Sequence, residues 1–190
     1  MATTGNQPYR YDKLPIYLCG RIGEGSVNLV VARRNGDGTV CCAFFLIDLW
    51  KLGLKSSFGS FSMRTKQFDK IYSEMVESYS DNLDEPSYFS MVDINEAKWL
   101  VVQGIRVAEA VGTPYSKRYV PIVGDVSQVK IGGSLYKCFT CEKGELSSEI
   151  DDAILRIARA EGRRGIAGTL QEARIYFECE NCRNKQQAIC

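Results

Sequence analysis

The sequence contains no histidine, and that absence excludes more chemistry than any single motif supplies. Ser–His and Cys–His nucleophiles, an imidazole general base working near neutral pH and His-ligated catalytic zinc all drop out. Any catalysis would rest on carboxylates, Lys, Tyr, Cys or a carboxylate-bound metal. A charge excess of one sign is lacking too: the formal net charge is +1, so the field of the whole molecule will not draw it onto nucleic acid. A basic site must therefore be local. No apolar run approaches the ~20 residues that span a bilayer, and "MATTGNQPYRYDK" lacks the apolar centre of a signal peptide. The expectation is a cytoplasmic protein with no membrane partner, whose residues 1–13 form a flexible tail. No Gly-x-x-x-x-Gly-Lys-Ser/Thr phosphate loop is present.

What is present is cysteine, eight residues in all. Four fall in two matched pairs, Cys138/Cys141 in "YKCFTCEKG" and Cys179/Cys182 in "IYFECENCR", each after an aromatic residue near the end of a strand-like run. In a reducing compartment, paired cysteines read as metal ligands before disulfides. Two Cys-x-x-Cys turns aim four thiolates at one point, the closed tetrahedral cage of a structural Zn2+. Residues 142–178 separate the pairs, a longer insertion than the ~15–20 residues usual for such ribbons. An iron–sulfur cluster uses the same ligands, and a redox dithiol is a further alternative. Cys19, Cys41 and Cys42 lie in or beside strand-like runs and read as small buried apolar residues. Cys190 reads as a free thiol.

Hydrophobic content of 45% and charged content of 25% over 190 residues suit one folded domain with a small appended module. "LPIYLCG" reads as a short strand. "SVNLVVARR" and "TVCCAFFLIDLW" flank "NGDG", a strong hairpin signal. The second run is apolar from Val40 to Ile47, as in an interior strand covered on both faces. "RTKQFDKIYSEMVESYS" places Phe68, Ile71, Tyr72, Met75 and Tyr79 on one helical face. Asp93 and Glu96 resemble a capping box for "INEAKWLVVQGIRVAEAV", which Gly112 and Pro114 should stop. "SQVKIGGSLYKC" suggests a second hairpin, "SEIDDAILRIARAEG" a third helix, and "QEARIYFEC" a strand delivering the second cysteine pair. The fold class expected is α+β: an antiparallel or mixed sheet with packed helices over residues 14–130. Residues 131–190 would form a four-cysteine, zinc-ribbon-like module with a helical insertion.

On that third helix Arg156, Arg159 and Arg163 recur at i, i+3 and i+7, with Arg164 beside them. Such a stripe suits phosphate contacts, or else is a solvated face balanced by Asp151, Asp152 and Glu161. Arg33 and Arg34 on the hairpin are further basic candidates. So are Lys117 and Arg118, which Tyr115 and Tyr119 flank in the basic-plus-aromatic mix that suits single-stranded nucleic acid. Asp48 interrupts "AFFLIDLW". It reads as a buried structural carboxylate accepting N–H groups from the "WKLGLK" turn or pairing with Lys51 or Lys55, in preference to a catalytic metal ligand.

Along "GEGSVNLVVARRNGDGTVCCAFFLIDLWKLGLKSSF" the chain resembles a family of uncharacterised bacterial proteins. The matching positions are Gly25, Asn28, Val30, Arg33, Gly38, Phe45, Leu46, Asp48, Leu52, Gly53 and Lys55. "LVVQGIRVAEAVGTPYSKRY" resembles that family's Gly-rich helix and its Gly-x-x-Pro loop. The likeness spans residues 14–125, departs at "WK" and does not extend to the cysteine module. It implies a shared sheet-plus-helix core and carries no activity. The sequence thus points to a non-catalytic, zinc-containing subunit that binds nucleic acid, DNA or RNA, or assembles with protein partners. The alternatives are a small metal-dependent nuclease or phosphotransfer enzyme using Asp48, and a pure protein–protein adaptor.

Overall fold

The computed structural model describes residues 16–19, 26–49, 51–80, 90–127, 129, 174–178 and 185–189. Five strands, β1 (Ile16–Cys19), β2 (Ser26–Arg34), β3 (Val40–Asp48), β4 (Gly53–Met63) and β5 (Ser90–Met91), form one sheet in the order β4-β3-β2-β1-β5. Every neighbouring pair is antiparallel. Two helices, α1 (Thr65–Ser80) and α2 (Ile94–Val111), complete this α+β core, with a 3-10 turn at Val120–Ile122. Separately, β6 (Arg174–Glu178) and β7 (Lys185–Ile189) pair antiparallel.

The hairpin of β2 and β3 forms where the Asn-Gly-Asp-Gly signal lies, and the two strands pair from Ser26↔Asp48 to Arg34↔Val40. Asp37 fastens its turn: the carboxylate accepts from the Thr39 N–H at 2.9 Å and the Thr39 hydroxyl at 2.6 Å. Those two bonds hold the Asp37 carboxyl below the usual carboxylate range. Period-two alternation then sorts the side chains. Val27, Leu29, Val31, Cys41, Ala43, Phe45 and Ile47 face α2, whereas Val30, Ala32, Val40, Cys42 and Phe44 face α1. A helix on each side explains why β3 is apolar almost throughout. Burying a side chain such as Phe45 or Leu29 fully contributes about 1.5–3 kcal/mol.

On α1, Phe68 is buried, and Ile71, Tyr72 and Met75 pack around it as the helical period requires. The side chain of Tyr79 lies outside the described residues. The start of α2 is a complete capping box. Asp93 accepts from the Asn95 and Glu96 N–H groups at 2.6 and 2.9 Å, and Glu96 accepts from the Asp93 N–H at 2.8 Å. Its end is Gly112 in the left-handed conformation, with the Gly112 and Thr113 N–H groups both donating to the Ala108 carbonyl.

β4 is not legible in the sequence, since "GLKSSFGSFSM" is rich in Ser and Gly. Among the described residues it is an edge strand, paired on one side to β3, with ladder irregularities between Val40 and Cys42 and between Leu46 and Ile47. Its first residue seats α2. Gly53 has φ +70°, and a Cβ there would lie 2.2 Å from the Ala108 nitrogen and 2.3 Å from the Gly104 oxygen. At Gly104 a Cβ would lie 2.7 Å from Ile47 Cγ2. Helix backbone and strand backbone therefore touch, and no side chain fits between them.

Gly53→Ala should cost about 3 kcal/mol or more, combining left-handed backbone strain with overpacking against helix backbone. Gly36, with open space around its Cα, is the control, and Gly36→Ala should change stability little. Urea unfolding of both variants checks this; equal midpoints would contradict the close-contact account.

Candidate nucleic-acid interface

The segment after α2 is fixed at both ends. The Gly112 cap and Pro114 turn the chain away from the helix, and the buried Val120, Ile122 and Val123 pin it again to the α2-side core. Between these anchors Tyr115, Lys117, Arg118 and Tyr119 cluster. The Tyr115 hydroxyl donates to the Glu109 carboxylate, and Lys117 Nζ lies 3.3 Å from the same carboxylate oxygen. Lys117 sits 5.4 Å from the Tyr115 ring centroid, and Arg118 sits 5.3 Å from that of Tyr119. The Tyr119 ring packs at 6.4 Å from Phe61, on β4, which is 52% exposed. A weak bond from Ser57 Oγ to the Ser116 carbonyl, at 3.5 Å, also ties the loop to β4.

This charge distribution is specific. Glu109 is held below the usual carboxylate range, first by the Tyr115 hydrogen bond. Lys117 is raised by its bonds to Tyr115 and Glu109, so it stays protonated. Tyr115 is raised by burial and by the neighbouring carboxylate. Glu109 thus offsets Lys117, whereas Arg118, exposed at the loop surface, makes no ion pair with an acidic side chain among the described residues. Arg118 lies over the Tyr119 ring, which in turn packs against Phe61, and a guanidinium with neighbouring aromatic rings is the chemistry that takes a phosphate and a base together.

Of the hairpin arginines, the strand alternation sends Arg33 to the α2 side and Arg34 to the α1 side. Only Arg33 shares a face with Phe61 and the 115–119 loop, two strands away across Cys41. Phe61 itself carries no signal in the sequence beyond its hydrophobicity. Its place against Tyr119 arises from a contact between distant segments. Arg156, Arg159, Arg163 and Arg164 lie outside the described residues, as do Cys138, Cys141, Cys179, Cys182 and Cys190. The same holds for the expected tail, second hairpin and third helix.

Asp48 ends β3 half-buried, where the sequence suggests a buried carboxylate. Its carboxylate accepts from the Lys51 N–H at 2.9 Å, which fits a turn-forming role. Among the described residues, no three His, Cys, Asp or Glu side chains gather closely enough to hold a metal ion. Cys41 and Cys42 are buried on opposite sheet faces, as expected of small apolar residues. Burial pushes the Cys42 thiol up to about 11, so it is an inert thiol. No helix among the described residues is long and apolar enough to cross a membrane.

The Tyr115–Glu109 bond should show a pH signature. A depressed carboxyl contributes stability above the unfolded carboxylate range, near ~4.3, and loses it as pH falls through the folded value. Tyr115→Phe should therefore lower stability at pH 7 by less than about 1 kcal/mol, given solvent screening. The difference from the natural chain should vanish at the acid end. Urea titrations across this range, with a difference that does not change with pH, would contradict the pairing.

No protein-family model matches the chain, and no curated protein or solved structure matches it either.

Proposed function

We propose that this chain is a non-catalytic, zinc-stapled subunit that binds nucleic acid through its core domain and its cysteine module. The observation that carries the reading is the cluster in which the Arg118 guanidinium lies over Tyr119 and Tyr119 packs against the exposed Phe61, with Tyr115 and Lys117 in the same loop and Arg33 on the same sheet face. Rings supply sequence-tolerant stacking, and the guanidinium supplies the charge that a phosphate backbone needs. The zinc would be held by Cys138, Cys141, Cys179 and Cys182. What supports this, besides the matched spacing, is the β6–β7 hairpin. Glu178 pairs with Lys185, so the connection between two paired strand ends carries Cys179 and Cys182. That is the context in which a ribbon presents a metal-binding turn. Arg156, Arg159, Arg163 and Arg164 would supply further phosphate contacts from the cysteine module.

Metal-replete protein should contain one zinc per chain by elemental analysis; iron with visible absorbance, or no metal, would overturn the cage. Cys179→Ser should release the metal and disorder the C-terminal module while the sheet persists, because metal binding energy is folding energy there.

Oligonucleotide titrations over a range of salt separate the two kinds of contact. Arg118→Ala should weaken binding and make the log–log salt slope shallower by about one unit or less. Phe61→Ala should weaken binding tenfold or more, within the ~1–3 kcal/mol of a stacked base, and leave the slope unchanged. An intact chain that binds no oligonucleotide even at low salt would transfer the surface to a protein partner.

A further inference from the structure

Phe58 is the second exposed aromatic of β4, 51% exposed, and lies on the α1 side, opposite to Phe61. Its ring stacks flat on Phe44, with centroids 4.5 Å apart and planes 4° from parallel. β4 ends the sheet, and among the described residues no strand pairs with its outer edge. Protected edges usually carry charges, proline or a bulge. β4 has one lysine and two ladder irregularities, and these bracket a regular stretch that has neither. Ser56 to Ser60 pair in unbroken register with Leu46 to Cys42, and the ladder shifts only beyond them, at Lys55 and at Phe61 and Ser62. That stretch has no charge and no proline, and its central residue is Phe58.

We propose that β4 pairs antiparallel with β4 of a second copy of this chain, about a two-fold axis through Phe58. In that register Phe58 meets its own symmetry mate, Ser56 faces Ser60, and Ser57 faces Gly59. The aromatic stack of Phe44 and Phe58 continues across the axis. Lys55, the one charged residue in the strand, flanks this stretch at the end remote from Lys55 of the other copy, so no like charges face one another. The paired stretch itself is uncharged and self-complementary about Phe58, so charge placement favours a copy of this chain as the occupant. A lone edge-to-edge contact is smaller than the ~800 Å² per partner of a standard interface, and the dimer is accordingly concentration-dependent.

Sedimentation velocity of the full, metal-replete chain from low micromolar to several hundred micromolar tests this. The natural chain should pass from monomer to dimer. A charge on a two-fold axis repels its own image, so Phe58→Lys should raise the dimer dissociation constant at least tenfold. Ser60→Glu should do likewise, and Ser56→Lys/Ser60→Glu should restore dimerisation, because each introduced lysine then faces a glutamate of the other copy. Circular dichroism checks that the variants fold, and the double variant needs no change at Phe58. A monomer at every concentration, dimerisation indifferent to Ser60→Glu, or failure of the double variant to rescue would each overturn the proposal.

Discussion

The approach of α2 to Gly53 is the constraint on which the rest of the core depends. Packed elements normally keep a layer of side chains between their backbones. Here Gly53, Gly104 and Ala108 remove that layer, and the helix rests on the first residue of β4. The contact does two things at once. It starts the edge strand at the correct register after the turn that Asp48 fastens through the Lys51 N–H. It also fixes the height of α2 above the sheet, and so where its last turn and the loop beyond it emerge.

Function is coupled to that placement. Glu109 lies on the last turns of α2 and holds both Tyr115 and Lys117. Tyr119 reaches back to Phe61 on the same strand that begins at Gly53. The proposed binding surface is therefore built from two elements whose backbones touch at Gly53 and which buried Val120, Ile122 and Val123 and the Ser57–Ser116 bond hold together again further on. Its charge is local, as a chain of net charge +1 requires, and Glu109 tempers it by holding one of the two adjacent cations.

Local rules make much of the core legible. The β2–β3 hairpin follows from turn residues between β-rich runs, and the two-sided cover of β3 follows from its unbroken apolar run. The α2 capping box and glycine stop are likewise readable residue by residue, as is the apolar stripe of α1. β4 is not, because an edge strand paired on one side needs few apolar residues, and Ser and Gly mask the alternation. The pairing of Phe61 with Tyr119 is not readable either, since nothing local links residues so far apart in the chain. The separation of Arg33 from Arg34 follows from strand alternation alone.

Native-state hydrogen exchange on Gly104→Ala tests the central coupling most directly. A methyl at that position must push α2 away from Ile47 and β4, whereas the β2–β3 ladder keeps its partners. The amides of Gly112, Thr113, Val120 and Ile122 should lose protection together with those of α2. Amides of Val30 and Phe44 should stay near their original protection. Unchanged protection from Gly112 to Ile122 alongside a loosened α2 would contradict the claim that the helix seat positions this surface.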